Sequence, residues 1–127
     1  MSESRVGHIG IIDDELLVRE ALKDCMESAG HSVETFGSAE EFFAAKSSRR
    51  ASRLIVDIAL PGISGLELQA RLANLEDHVD IVFVTAHATD ANRKRALRNG
   101  AAALLSKPVR CEELLTVVRT WCNNTDV

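Results

Sequence analysis

Four short apolar runs, each closed by a polar residue, restrict this chain to few folds. They extend from Ile9 to Asp14, Leu54 to Asp57, Ile81 to Thr85 and Ala103 to Lys107. Runs that are apolar at nearly every position fit parallel strands covered on both faces. If the runs are neighbours in one parallel sheet, their polar ends share one edge. That edge then gathers three carboxylates, a hydroxyl and an ammonium: Asp13, Asp14, Asp57, Thr85 and Lys107.

Helical patterns separate the runs. From Leu16 to Ala29, the residues Val18, Ala21, Leu22, Cys25, Met26 and Ala29 recur at spacings of three and four, and Gly30 stands where a helix stop belongs. Ser32 to Phe36 reads as another strand. Ser38 with Glu41 forms a capping box for a helix carrying Phe42 and Phe43, which gives way to the polar loop KSSRRASR. The segment LPGISG supplies turn chemistry, and Ser64 caps a helix through Leu66, Leu68 and Leu72. Asp90 is read as the cap of a helix ending near Asn99, with Gly100 as its stop. Ala101 to Ser106 completes the strands. Arg110 to Cys122 is the last helix, with Leu114, Leu115, Val118, Trp121 and Cys122 on one side. Five strands alternating with five helices predict an α/β domain whose parallel sheet is sandwiched between helices by right-handed crossovers.

A length of 127 residues fits one domain, with a core spanning about 7–123. The net charge of -4 argues against direct nucleic-acid binding by this chain. MSESRVGH carries no apolar signal region, and no run reaches the roughly eighteen apolar residues of a membrane helix. The chain therefore reads as cytoplasmic, without a membrane partner. Cys25, Cys111 and Cys122 are odd in number and form no C-x-x-C pair. They read as thiols in a reducing cytosol, with Cys25 and Cys122 buried, and they lack zinc-ligand spacing.

The polar edge asks for a chemical reason. Two carboxylates about 4 Å apart repel by roughly 4 kcal/mol at an effective dielectric near 20. Lys107 offsets part of this; a hard divalent cation would offset more, and oxygen-only ligands favour Mg2+ over zinc. A carboxylate beside a metal, a hydroxyl and a lysine is suited to accept a phosphoryl group as an acyl phosphate.

The phrases IIDDE, VDIALPGISGLEL, VTAHA and NGAAALLSKP, at these spacings, resemble the receiver domain of two-component response regulators along essentially the whole chain. GSAEEFF, LPGISGLELQ and VTAHA look most like the FixJ-type receivers. The resemblance implies a flavodoxin-like, CheY-like fold, a doubly wound sheet of order 2-1-3-4-5. It implies Asp57 as phosphoacceptor, Asp13, Asp14, Asp57 and the Ala59 backbone carbonyl as ligands of Mg2+ (or Mn2+), and Thr85 and Lys107 as phosphate contacts. It also implies a cis peptide at Lys107–Pro108, and phosphoryl lifetime tuned by Ala59 and His87. A sensor histidine kinase would be the donor, and a homodimer through the fourth helix, fifth strand and fifth helix a consequence of phosphorylation. The output would be a LuxR-type DNA-binding domain outside this chain; the alternative is a stand-alone receiver working by phosphorelay or protein contact. Arg93, Lys94 and Leu104 are assigned to the output face. Leu104 stands where many receivers carry a rotating aromatic residue, so the usual threonine–aromatic switch is not expected here.

Such a domain is a signalling module that assists its own phosphorylation rather than an enzyme. An aspartate-nucleophile phosphohydrolase would want an acid at position 59, which is alanine. A nucleotide-binding module would want a glycine-rich loop where IIDDE stands.

Overall fold

Strands and helices alternate strictly along the chain. The order is β1 (His8–Ile12), α1 (Leu16–Ser28), β2 (Ser32–Phe36), α2 (Ala39–Ala44), β3 (Arg53–Val56), α3 (Gly65–Asn74), β4 (Asp80–Thr85), α4 (Asp90–Arg98), β5 (Ala103–Ser106) and α5 (Cys111–Thr125). The computed structural model describes residues 8–45, 52–75 and 79–125, with side chains described through 120. Most of the loop KSSRRASR, and the side chains of Trp121 and Cys122, lie outside the described residues. Every strand pairing is parallel, and the sheet order is β2-β1-β3-β4-β5. The fold is the five-stranded, doubly wound α/β sheet with five helices.

The apolar runs bury both of their faces, as the pattern requires. Side chains alternate across a strand. Leu54, Val56, Ile81 and Phe83 pack on one side of the sheet with Ala39 and Phe42 of α2, Leu66, Leu68 and Leu72 of α3, and Ala96 of α4. Ile55, Val82 and Val84 face the other side, with Leu22 and Met26 of α1 and Leu114 and Val118 of α5. Fully burying one such side chain is worth about 1.5–3 kcal/mol. The two layers together therefore outweigh any single polar contact in this fold.

The helix ends follow local chemistry. Ser38 accepts the Glu41 N–H at 3.1 Å, and Ser64 accepts the Glu67 N–H at 3.1 Å. For α4 the cap is Thr89 rather than Asp90: its hydroxyl accepts the Asn92 N–H at 3.1 Å. Thr89 holds the extended backbone a cap needs, whereas Asp90 is already helical and places its charge in the first turn. Gly100, just past α4, has φ +100°, a conformation that favours glycine.

The cysteines depart from the expectation of free thiols. Cys25 of α1 and Cys111, the first residue of α5, are joined by a disulfide with Cα atoms 5.7 Å apart. Cys25 is buried on the inner face of α1, as its spacing suggested, but its neighbour there is a cysteine 86 residues away.

Candidate functional site

One register row locates the site. Phe36, Ile12, Val56, Phe83 and Leu104 stand side by side across the five strands, all in the same buried layer. The next residues along β1 and β3 are Asp13 and Asp57, which are thereby brought side by side. Strand order reverses at β1, and the crevice beyond the strand ends at such a reversal is the usual ligand site of open α/β sheets. Backbone bonds carry the strands into the site: the Asp13 N–H donates to the Phe36 carbonyl at 3.1 Å, and the Asp57 N–H to the Ile12 carbonyl at 3.0 Å.

Asp13 and Asp57 are 1% and 5% exposed, although each carries a carboxylate. Their partners explain how. Asp13 Oδ1 accepts the Glu15 N–H at 2.9 Å, and Asp57 Oδ1 accepts the Ala59 N–H at 3.0 Å. Their remaining oxygens converge on Lys107, whose Nζ lies 2.8 Å from Asp57 Oδ2 and 2.9 Å from Asp13 Oδ2. The Asp57 contact is a directed hydrogen bond. The Asp13 contact is an ion pair without hydrogen-bond geometry, leaving Oδ2 buried and only partly satisfied. Lys107 is aimed from β5 by its own N–H, which donates to the Thr85 carbonyl at 2.9 Å, and the Lys107–Pro108 peptide is cis.

Electrostatics set the protonation of this cluster. Burial raises the Asp13 pKa above the ordinary carboxylate value, and the nearby Lys107 ammonium recovers only part of the shift. Desolvation pulls the Lys107 pKa down, but the carboxylates of Asp57, Asp13 and Glu15 around it together outweigh that effect and hold the ammonium above its usual range. Lys107 is thus charged at any physiological pH.

Asp14 is exposed, yet oxygens of Asp13, Asp14 and Asp57 all lie within 4.8 Å of one another. The donor set is carboxylate oxygen alone, with a partly satisfied buried oxygen on Asp13. That chemistry fits a hard cation such as Mg2+.

The other expected residues are placed as follows. Thr85 is fully buried, and its hydroxyl accepts the His87 N–H at 3.1 Å, which leaves its own proton to donate. The His87 side chain is exposed, and its carbonyl accepts the Asn92 amide at 2.9 Å. Arg93 and Lys94 are exposed on α4. Leu104, assigned to the output face, is instead 3% exposed and packs in the buried layer with Phe83. Only its carbonyl reaches toward that surface, where it accepts Arg93 Nη1 at 2.8 Å.

Two contributors were not anticipated. Glu15 Oε1 lies 2.9 Å from Lys107 Nζ, making a third carboxylate partner on its exposed side. Arg19 Nη1 donates to the Asp13 carbonyl at 2.7 Å. Glu15 directly follows the acidic pair in sequence, but its reach back to β5 depends on how α1 leaves the sheet.

Comparison with known proteins agrees with this geometry. The response regulator receiver domain family model matches residues 9–119. Nodulation protein W of Bradyrhizobium diazoefficiens is 39% identical over 108 residues, covering 85% of this chain and 48% of that protein. Response regulator protein TodT of Pseudomonas putida is 36% identical over 115 residues, covering 91% of this chain and 51% of that protein. The chain thus spans about half the length of these curated relatives. A crystal structure of a CheY-like response regulator receiver domain protein from Methanospirillum hungatei superposes with a TM-score of 0.87 at 27% identity, covering 95% of this chain and 97% of that one. With its strand order, its acidic crevice and these matches, the chain belongs to the response regulator receiver domain family of two-component signalling.

Proposed function

We propose that Asp57 accepts a phosphoryl group from a sensor histidine kinase and that the acyl phosphate biases the domain between two conformations. The observation that carries this reading is the convergence of Lys107 Nζ on Asp57 Oδ2 and Asp13 Oδ2 at 2.8 and 2.9 Å. A lysine so placed is in reach of a phosphoryl group on Asp57.

Each residue then has a task. The Asp57 carboxylate attacks phosphorus as the bond from phosphorus to the donor breaks. The Ala59 N–H fixes the orientation of that carboxylate through Oδ1. Lys107 shifts from carboxylate oxygens to phosphoryl oxygens and neutralises their charge. The Thr85 hydroxyl donates its proton to a phosphoryl oxygen, which requires it to turn from its buried place. Asp13, Asp14, Asp57 and the Ala59 carbonyl would hold Mg2+ (or Mn2+), which when bound supplies positive charge against the carboxylates and the incoming phosphoryl group.

Ala59 and His87 flank the site and set how readily water reaches the acyl phosphate; replacing either with glutamate or asparagine changes the dephosphorylation rate. The output face comprises α4, β5 and α5, with Arg93 and Lys94 exposed and Arg93 tied to the Leu104 carbonyl. Phosphorylation promotes homodimerisation through this face. Residues 1–127 form one receiver domain, with its core about 7–123. It acts in the cytoplasm on a LuxR-type DNA-binding domain elsewhere in the protein, so transcription is the controlled output. No described helix is long and apolar enough to cross a membrane.

The test uses beryllium fluoride with Mg2+ as a phosphoryl mimic. Wild type should change its sedimentation or amide-exchange pattern along α4 and β5, and Asp57→Asn should not. An unchanged wild type would count against the switch.

A further inference from the structure

The disulfide joins α1 and α5, the two helices that begin just after charged residues of the site. α1 begins directly after Asp13, Asp14 and Glu15, and α5 begins four residues after Lys107. Cys25 and Cys111 lock these elements together from opposite ends of the sequence. Fold integrity does not depend on that bond alone, because Leu22 and Met26 of α1 share a buried layer with Leu114 and Val118 of α5. The two cysteines differ in access: Cys25 is 8% exposed, whereas Cys111 is an exposed residue at the head of a helix. Thiol–disulfide exchange proceeds through the more accessible cysteine of a pair. In the reducing compartment that the proposed function calls for, a disulfide is a regulated bond rather than a permanent staple.

We propose that Cys25–Cys111 is a redox-active disulfide that gates phosphorylation by controlling the freedom of the Lys107 segment. This coupling rests on the phosphoacceptor reading of Asp57. The reductant is a dithiol of the thioredoxin class. Its thiolate attacks Cys111 Sγ, the Sγ–Sγ bond breaks, and Cys25 leaves as a thiolate that takes up a proton. The second thiol of the reductant then attacks the mixed disulfide and releases Cys111. One protein disulfide and one dithiol thus become two protein thiols and one oxidised dithiol, a two-electron exchange.

The oxidised form is the restrained one. Lys107 Nζ is shared there among Asp13, Glu15 and Asp57, and it must give up some of these contacts to pair with a phosphoryl group. A crosslink four residues downstream resists the movement. Reduction therefore speeds acceptance of phosphate, by at least about fivefold if the coupling has the usual allosteric size.

The experiment equilibrates the whole chain in glutathione buffers of graded potential. Denaturing alkylation counts free thiols, and acetyl phosphate with Mg2+ then gives the phosphorylation rate of each sample. Of the three cysteines, one should alkylate in the oxidised sample and three in the reduced one. The rate should rise over the same potential range. Cys111→Ser should match the reduced wild type at every potential. Three alkylated thiols in every buffer would overturn the disulfide itself. A disulfide that forms without altering the rate, or a redox response kept by Cys111→Ser, would overturn the gating. Failure of both redox forms to take phosphate would sink the phosphoacceptor reading and the gating with it, while the thiol count still decides whether the bond exists.

Discussion

Replacing Gly65 with alanine drives a methyl group into the backbone that carries Asp57. A Cβ at position 65 would overlap the Asp57 carbonyl oxygen and lie 2.9 Å from Ile58 Cα and 3.0 Å from the Asp57 carbonyl carbon. No flexible side chain is there to step aside. The Gly65 N–H also donates to the Ile58 carbonyl at 2.9 Å, so the head of α3 cannot simply withdraw. Two effects oppose each other. Alanine in a helix interior gains up to about 1 kcal/mol over glycine, and less at this first helical position. Overpacking typically costs about 1–3 kcal/mol, and a backbone clash belongs at the upper end. The net expectation is a loss of about 1–2 kcal/mol, which lowers the urea midpoint by about 0.5–1 M for a domain of this size. The displaced Asp57 should also accept phosphate more slowly. Gly100→Ala is the control: open space surrounds that position, so only its φ of +100° opposes alanine. It should lose stability yet keep the phosphorylation rate. An unchanged or raised midpoint for Gly65→Ala would refute the close approach of α3 to the backbone that carries Asp57.

Three further outcomes follow from the same geometry. Lys107→Ala should bind Mg2+ more tightly than wild type by calorimetry, because the ammonium occupies the same Asp13 and Asp57 oxygens that the cation needs; weaker binding would mean the two do not compete. Asp13→Asn should be more stable than wild type at neutral pH without metal. The sign follows from the raised Asp13 pKa: the folded chain holds that proton more tightly than the unfolded chain, so its stabilising contribution is complete below the ordinary carboxylate pKa and lost as pH rises through the folded value. The advantage of asparagine should therefore vanish in acid, as followed by denaturant midpoints across pH. Reducing Cys25–Cys111, which closes a separation of 86 residues, should cost up to about 4.6 kcal/mol by loop-closure entropy and lower the thermal midpoint without unfolding the chain at room temperature. Loss of folded structure on reduction would show that the apolar layer between α1 and α5 is insufficient.

The legible parts of this fold were those with local causes. Ile55 and Val82 face one layer, and Leu54, Val56 and Phe83 the other, so an unbroken apolar run signalled a strand buried on both sides. Asp13 and Asp57 were legible because each directly follows the last residue of such a run, and register did the rest. What escaped depended on tertiary geometry. Thr89 and Asp90 are both good caps, and only the backbone turn chooses between them. Leu104 falls in the inner layer because of strand parity, which a surface assignment overlooked. Cys111 lies at a helix start with no local pattern linking it to Cys25. Glu15 joins Lys107 across a separation of 92 residues.

The most direct test of the central claim is where the phosphoryl group goes. Wild type and Asp57→Asn should be incubated with Mg2+ and acetyl phosphate, then measured by intact mass. Borohydride, which reduces an acyl phosphate to the alcohol, should be followed by peptide mapping. The expected result is one phosphoryl group on wild type, none on Asp57→Asn, and homoserine at position 57 after reduction. A wild type that gains nothing, or an Asp57→Asn variant that is phosphorylated as readily, would contradict the assignment of Asp57.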